Sequence, residues 1–111
     1  MRYTMVIWGD DSTGKDPALI DEVDAWWQKW HAAGKVVRGG AKLDSPHVAR
    51  TVSRGADGQP VVTDGPYLEL KEIIGGYIHL EADDFDETVA VAATWPAIAA
   101  GYTVEVRPIV G

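Results

Sequence analysis

Residues 63–81, TDGPYLELKEIIGGYIHLE, contain the change from loop to strand around which this chain is organised. Gly65 followed by Pro66 interrupts regular structure, and residues 69–72 carry three charges. Beyond the glycines at 75 and 76, apolar and polar residues alternate with the period of two that is typical of a half-buried β-strand. Because charged loops that lead into buried strands often carry ligand-handling groups, we expect the loop 67–72 to border the functional pocket.

Strand and helix patterns alternate on both sides of this stretch. Residues 3–8 form a β-rich apolar run, and Asp16 before Pro17 is a typical helix start, with Gly34 as the stop. The remaining predicted elements are strands at 35–43, 73–82 and 102–109, a hairpin of 48–54 and 60–63 around Asp57 and Gly58, and a helical segment from Asp84 to Pro96.

Both predicted helices have an apolar side. In the first helix it consists of Leu19, Val23, Trp26, Trp27 and Trp30. In the second it consists of Phe85, Val89, Ala92, Ala93 and Pro96. Asp84 and Glu87, three residues apart, resemble a capping box. We interpret the three tryptophans as core residues, with the alternative that one ring lines a ligand cavity or a dimer seam.

The predicted elements follow the order βαββαβ with a hairpin inserted before the third core strand. This order is typical of a ferredoxin-like α+β domain, in which both helices cover one face of the sheet. By alternation, the opposite face carries His79, Glu81, Glu105 and Arg107. A face that mixes polar and apolar groups needs a partner or a ligand, so we expect a homodimer that forms through it.

A recognisable set of residues lies within this stretch: Asp64, Gly65, Pro66, Tyr67, Glu69, Lys71, Glu72, Gly75 and Gly76. The set resembles the signature of the YCII-related family, in its DGPF-domain branch, with Tyr67 where that branch usually has Phe. The extended start at 2–5 and the close at 104–108 resemble the family as well. The resemblance implies a ferredoxin-like, dimeric α/β-barrel-like domain that pairs as a homodimer.

Composition limits the class of protein. A chain of 111 residues that is 46% hydrophobic fits one compact domain over residues 1–111. It contains no cysteine, which excludes a disulfide framework and a thiol nucleophile. Because it lacks a signal-peptide pattern and an apolar run of roughly 18 residues, we expect a cytoplasmic protein that does not contact membranes.

The charge of the chain argues against a nucleic-acid partner. Ten basic and 17 acidic side chains give a net charge of −7, which repels phosphate backbones. Residues 1–55 hold eight Lys/Arg against seven Asp/Glu, and residues 56–111 hold two against ten. The basic excess of the first half is interpreted either as solvent-facing decoration or as a rim that attracts anions.

Two motif-like patterns carry no function. Residues 9–15 have the Gly-x4-Gly-Lys spacing of a phosphate-binding loop, but Asp16 replaces the Ser/Thr that binds Mg²⁺, and Asp10 and Asp11 stand where phosphates bind. Residues 83–87 are acidic without the spacing of a calcium loop, and the three histidines are scattered. We therefore expect no metal and no cofactor.

Histidine and buried carboxylates are the groups suited to acid/base chemistry near neutral pH. The eligible residues are Asp64, Glu69, Glu72, His79 and His31. Some YCII-like relatives carry a histidine early in the first helix that, with an aspartate, suggests a catalytic dyad. This chain has Val23 and Asp24 there, so the resemblance does not carry that activity over, and no catalytic residue is assigned.

The predicted pocket lies between the loop 67–72 and the sheet face that bears His79, with Arg107 as cationic partner and Lys71 at the rim. Its candidate residues are Asp64, Tyr67, Glu69, Lys71, Glu72, His79 and Arg107. We expect Asp64 to hold the Gly65–Pro66 turn through hydrogen bonds to backbone N–H groups. A histidine and an arginine over one cavity favour an anionic or hydrogen-bond-accepting small molecule.

Two functional classes fit these observations, besides a purely structural role. The first is a small-molecule binding or regulatory module, favoured because no nucleophile or metal motif is present. The alternative is a cofactor-independent enzyme that acts by acid/base chemistry on a small anionic or aromatic substrate. Whether the protein is an enzyme is therefore left open by the sequence.

Overall fold

The computed structural model describes residues 1–9, 16–66 and 73–110. Its elements follow the predicted order βαββαβ with an inserted hairpin. They are β1 Arg2–Gly9, α1 Pro17–Ala32, β2 Val36–Lys42, β3 Arg50–Arg54, β4 Pro60–Asp64, β5 Ile73–Glu81, α2 Phe85–Ala92 and β6 Thr103–Pro108, with short 3₁₀ helices at Pro46–Val48 and Pro96–Ala100.

Four of the strands form one sheet in the order β2-β5-β1-β6, in which every neighbouring pair is antiparallel. Strands β3 and β4 pair with each other in a separate two-stranded ribbon. Two interleaved strand–helix–strand crossovers give this order, and they define the ferredoxin-like fold predicted from the sequence.

One face of the four-stranded sheet forms the core. Along β5, buried Ile78 and Leu80 alternate with half-buried Tyr77, His79 and Glu81, as the sequence pattern predicts. Because successive side chains of a strand point to opposite faces, the even-numbered residues of β5 meet the helices. The buried hydrophobic residues of the core are Tyr3, Met5, Ile7, Trp26, Val36, Ile78, Leu80, Ala82, Val91, Ala92, Trp95 and Ala97.

Helix α1 begins and ends where its sequence predicts. The Asp16 carboxylate accepts a hydrogen bond from the Ala18 N–H at 3.0 Å, and Pro17 takes the first helical position. At the other end, Gly34 adopts φ 75°, a left-handed conformation that stops the helix. Trp26 is the buried residue of this helix, and its packing fixes α1 against the sheet.

A threonine outside α1 joins that helix to the segment that follows α2. Thr94 Oγ1 accepts hydrogen bonds from the indole N–H groups of Trp26 at 2.9 Å and Trp30 at 3.1 Å. The same hydroxyl donates to the Val91 carbonyl at 2.6 Å. One side chain thus accepts the hydrogen bonds of two tryptophans that lie one helical turn apart.

Helix α2 departs from the predicted apolar side. Asp84 accepts the Glu87 N–H at 2.8 Å, which is the expected cap, but the Glu87 carboxylate forms an ion pair with Lys35. The helix ends at Ala92, and Pro96 opens a 3₁₀ turn instead of ending α2. Its buried residues are Thr88, Val91 and Ala92, whereas Phe85 and Val89 are exposed. The predicted apolar side is therefore right at Ala92 and wrong at Phe85 and Val89, because a helix of eight residues can bury either of two sides and its contacts decide between them.

The β3–β4 ribbon forms around residues 55–59, where the Asp57 carboxylate accepts the Gln59 N–H at 3.0 Å. The predicted role of Asp64 in the following turn is tested among the described residues only at Gly65, since Pro66 has no N–H and residues 67–72 are not described. The Gly65 N–H donates to the Ala49 carbonyl at 2.8 Å instead of to Asp64, because the backbone pairing of the ribbon continues past its last residue.

Candidate functional site

A cavity of about 340 Å³ lies between α1 and the edge of the sheet where β1 and β2 end and β5 begins. Helix α1 contributes Leu19, Ile20, Val23, Asp24 and Trp27. Further walls come from the strands and from the segments that precede β6 and follow β2, including Ile7, Gly9, Lys42, Asp44, Ile73, Ile78, Trp95 and Tyr102. The cavity therefore combines parts of the chain that are distant in sequence.

Aromatic and aliphatic side chains dominate the walls of this cavity. Trp27, Trp95 and Tyr102 supply three aromatic rings. Among the described residues of the lining, the charged side chains are Asp24, Lys42 and Asp44, whose formal charges sum to one negative unit. Apolar walls with a few polar groups are typical of sites for small organic molecules.

Close backbone packing shapes one end of the cavity. A Cβ atom on Gly9 would lie within 2.5 Å of the Tyr102 ring, so a side chain at this position would displace that ring. The pairing of β1 with β5 also shifts register between Ile7 and Trp8, where Ile7 pairs with Gly76 and Trp8 with Ile74. This irregularity lies at the cavity edge, where strand pairing gives way to an open volume.

Two segments that adjoin the cavity in sequence lie outside the described residues. Gly9 precedes residues 10–15, which hold the phosphate-loop-like pattern, and Ile73 follows residues 67–72. Four predicted pocket residues belong to the second segment: Tyr67, Glu69, Lys71 and Glu72. Their proposed place at the pocket rim therefore stays a prediction.

His79 and Arg107 lie on the sheet face opposite the cavity. Thr4 of β1 pairs in register with both of them, so the three residues form one row across the sheet. The Arg107 Nε donates to a Glu105 carboxylate oxygen at 2.7 Å. Neither His79 nor Arg107 is among the residues that line the cavity. We call this face, with its row of Thr4, His79 and Arg107, the open face.

The ring of His79 packs against a glycine in a bulge of β2. Val37 pairs with His79 and Ala41 with Tyr77, so extra residues of β2 bulge out between these pairs. Gly39 has φ 119°, and a Cβ atom there would overlap the His79 imidazole. The bulge thus leaves room for the half-buried histidine, whose ring lies 5.8 Å from that of Tyr77.

Asp64 is not among the residues that line the cavity, and it lies on the β3–β4 ribbon instead of the sheet that bears His79. It ends β4, its side chain is 96% exposed, and a carboxylate oxygen lies 3.7 Å from the Arg50 Nε. An exposed pair at this separation contributes little to stability. Asp64 remains a binding candidate only through its place beside the loop 67–72.

Comparison with known proteins identifies the family. The family model of the YCII-related domain matches residues 1–110. The chain belongs to the YCII-related family. Among solved structures it is similar to 5-chloro-2-hydroxyhydroquinone dehydrochlorinase (TftG) from Burkholderia phenoliruptrix AC1100 in complex with 2,5-dihydroxybenzoquinone, with 19% identity, a TM-score of 0.49, and coverage of 98% of this chain and 93% of that chain. No curated protein was found to match.

The family match confirms the resemblance read from the sequence at the level of the family, and its DGPF branch stays a prediction. Within the described parts of this YCII-related domain, no group of three metal-ligating side chains comes together. None of the helices described is long and apolar enough to cross a membrane.

The sequence prediction missed most of the cavity of this YCII-related domain. It included the alternative that one tryptophan of α1 lines a ligand cavity, and Trp27 lines this cavity. Trp95 and Tyr102 were not singled out, because aromatic residues before a proline or a strand look like ordinary core residues. Their only sequence signal is that each follows a helical segment and precedes the next element.

Proposed function

We propose that this YCII-related domain binds a small aromatic molecule in the cavity beneath α1. The observation that carries the proposal is an aromatic-lined cavity of about 340 Å³, which is within the range of ligand pockets. An apolar cavity of about 150 Å³ is large enough for benzene, so this one accommodates a fused two-ring molecule.

The charges around the cavity favour a ligand without negative charge. Asp24 and Asp44 outweigh Lys42 in the lining, and the whole chain carries a net charge of −7. Both repel an anion that approaches the cavity. A neutral aromatic molecule meets no such barrier, and its binding is favoured by the removal of apolar surface from water.

Titration with naphthalene, followed by calorimetry, tests the proposal. We expect saturable binding with one site per chain in the unmodified protein. Val23→Trp places a larger side chain in the cavity wall and should abolish binding. Gln28→Trp adds the same ring to an exposed position of α1 outside the cavity lining and should leave binding unchanged. Equal binding by a folded Val23→Trp variant would refute the proposed site.

The open face supports a second candidate function, a cofactor-independent enzyme that uses acid/base chemistry. His79 and Arg107 are separated by one strand, so their backbones lie about 10 Å apart. An imidazole and a guanidinium at this spacing suit a small anionic substrate held between them. The loop residues Tyr67, Glu69, Lys71 and Glu72, with Asp64 before them, complete this candidate site.

Binding of benzoate distinguishes the second candidate from the first. His79→Ala and Arg107→Ala should each weaken benzoate binding if the open face is the site, whereas Lys15→Ala should not. Val23→Trp should leave benzoate binding intact in that case. Unchanged affinity in both open-face variants would exclude this function.

We also propose that the domain forms a homodimer through the open face. Four of its apolar side chains are only half-buried: Val6, Trp8, Val37 and Tyr77. The charged residues there are paired within the chain, Arg2 with Glu81 and Arg107 with Glu105. These two pairs contribute no net charge to the open face. Two chains of net charge −7 therefore repel each other least when they approach through this face.

A further inference from the structure

Asp24 lines the cavity, and its carboxylate has no ion-pair partner among the described residues. The residues three and four positions away on α1, which adjoin it on the helix surface, are Ile20, Asp21, Trp27 and Gln28. None of them is a cation, and Asp21 adds a second negative charge. Because Asp24 is exposed, it lies where the cavity borders water.

An aromatic ring adjoins Asp24 on the same helix. Trp27 follows it by three positions and lines the same cavity, and side chains at this spacing have Cβ atoms about 5–6 Å apart. The ring of buried Trp26 meets that of Trp27 in a T-shaped arrangement, with centroids 6.1 Å apart and an interplanar angle of 83°. This contact with the core restricts the Trp27 ring. A carboxylate and a held aromatic ring thus border one part of the cavity.

Helix α1 already holds one cation over a tryptophan. The Lys29 Nζ lies 4.7 Å from the centroid of the Trp30 ring. The negative face of an aromatic ring attracts cations, and the indole of tryptophan attracts them most strongly. Trp27 has no such cation among the described side chains. Its ring is therefore available to a cation that a ligand brings.

We propose that the cavity ligand is an aromatic molecule with a protonated amine, which lies between the Asp24 carboxylate and the Trp27 ring. The ammonium donates charge-assisted hydrogen bonds to the carboxylate and places its positive charge near the indole. A carbon arm of one or two atoms joins the amine to the ligand ring, which lies in the apolar interior. This inference rests on the proposed binding function and adds the charged group of the ligand.

The other charges around the cavity agree with this placement. Lys42 and Asp44 also line it and lie two positions apart in the chain, so their opposite charges offset each other. Asp24 therefore accounts for the net negative charge of the described lining. The charge of −7 on the whole chain raises the local concentration of cations in the same way.

A pair of ligands of equal shape tests the inference. Ethylnaphthalene and naphthylmethylamine, substituted at the same ring position, differ by a methyl group in the first and an ammonium group in the second at neutral pH. Calorimetry, with protein titrated into ligand, gives both dissociation constants for the unmodified protein and each variant. The ratio of the two constants within one protein cancels the contribution of shape. Its change between proteins cancels the difference in hydration of the ligands.

We expect Asp24→Asn to reduce the preference for naphthylmethylamine over ethylnaphthalene by roughly 3- to 10-fold, between the effects of an exposed ion pair and of a hydrogen bond to a charged group. Asp24→Glu keeps the carboxylate and should keep most of the preference. Glu22→Gln is the matched control, since it removes one negative charge from an exposed position of α1 outside the described lining. Residues two positions apart on a helix do not face each other, so Glu22→Gln should change the preference by less than about 2-fold.

The outcomes separate this inference from the proposed function. An unchanged preference in Asp24→Asn, or an equal loss in Glu22→Gln, would overturn the inference while ethylnaphthalene still binds. Loss of the preference in Asp24→Glu to the same extent as in Asp24→Asn would overturn it as well, because the charge would then not be what the ligand recognises. Failure of both ligands to bind the unmodified protein would overturn the proposed function with it.

Discussion

The two faces of the four-stranded sheet differ in what they carry, and adjacent residues of β5 show the contrast. Leu80 is 1% exposed beneath the helices, whereas His79 is half-buried on the open face. The helix-covered face holds the core and the aromatic cavity, and the open face holds the histidine and arginine that sequence chemistry singles out. The histidine and arginine that are suited to acid/base chemistry and anion binding therefore lie on the opposite side of the sheet from the cavity.

This difference teaches that residue chemistry and shape have to be judged separately. Histidine and arginine attract attention in a sequence because they titrate or bind anions. A cavity, in contrast, arises where three packed segments fail to fill the space between them, and aromatic residues at its wall look like core. The variants below change one face at a time.

The largest expected effect is the loss of core packing on the helix-covered face. Leu80→Ala should lower the free energy of unfolding by about 2–5 kcal/mol, since it removes a fully buried side chain and leaves a void. His79→Ala, one residue earlier on the open face, should cost less than about 1 kcal/mol. Urea denaturation measures both, and equal losses would show that the two faces are equally packed.

The next effect concerns association through the open face. Trp8→Glu should weaken the proposed dimer by at least roughly 30-fold, since a tryptophan that becomes buried at an interface contributes about 2 kcal/mol or more. Val110→Glu introduces the same charge at a position that is 97% exposed and should leave association unchanged. Light scattering over a range of concentrations measures the mass, and a monomeric unmodified protein at high micromolar concentration would contradict the dimer.

A smaller effect is expected from the threonine that joins α1 to the core. Thr94→Val keeps the shape of the side chain but removes the acceptor for the Trp26 and Trp30 indoles. The midpoint of urea unfolding should fall by an amount equivalent to about 1–3 kcal/mol. Thr103→Val, at an exposed position of β6, is the matched control and should be nearly neutral. A neutral result for Thr94→Val would mean that water replaces the hydroxyl.

The smallest effect is a pH dependence at the edge of the helix-covered face. The hydrogen bond with Glu87 raises the pKa of Lys35 above its ordinary value of 10.5. Desolvation lowers this pKa, whereas the negative charges of Glu87 and Asp83 raise it further. Because the pKa is higher in the folded state, the ion pair stabilises fully below pH 10.5, and this stability is lost as the pH rises through the folded-state pKa.

Urea midpoints measured from neutral to strongly alkaline pH check this prediction. Lys35→Gln should lower the urea midpoint slightly at neutral pH. Between neutral and strongly alkaline pH, its midpoint should fall less than that of the unmodified protein. Lys29→Gln removes the same charge from α1 and should keep that decline. Parallel profiles for the unmodified protein and Lys35→Gln would contradict the assignment.

Local sequence signals predicted the fold well. The alternation within β5, the Asp16 cap and the order of the elements along the chain depend on short-range patterns that tertiary packing did not override. The apolar side of α2 was predicted wrongly at Phe85 and Val89, because a two-turn helix can bury either of two sides and its contacts decide between them. Thr88 is buried there, whereas Phe85 packs its ring 5.3 Å from Tyr3 at the margin of the core.

The candidate site was less predictable than the fold. The sequence places His79 and Arg107 on one face, and the register puts both in a row with Thr4. The cavity depends on the meeting of α1, the strand ends and Trp95, which no local pattern encodes. The loop 67–72, which carries most of the predicted pocket residues, lies outside the described residues, and its role stays a prediction.

A crystal structure of the protein with naphthalene tests the central claim most directly, because it shows which face of the sheet holds the ligand. The account predicts a single naphthalene beneath α1, in contact with the rings of Trp27 and Tyr102. Naphthalene bound on the open face beside His79, or no bound naphthalene at a saturating concentration, would contradict it.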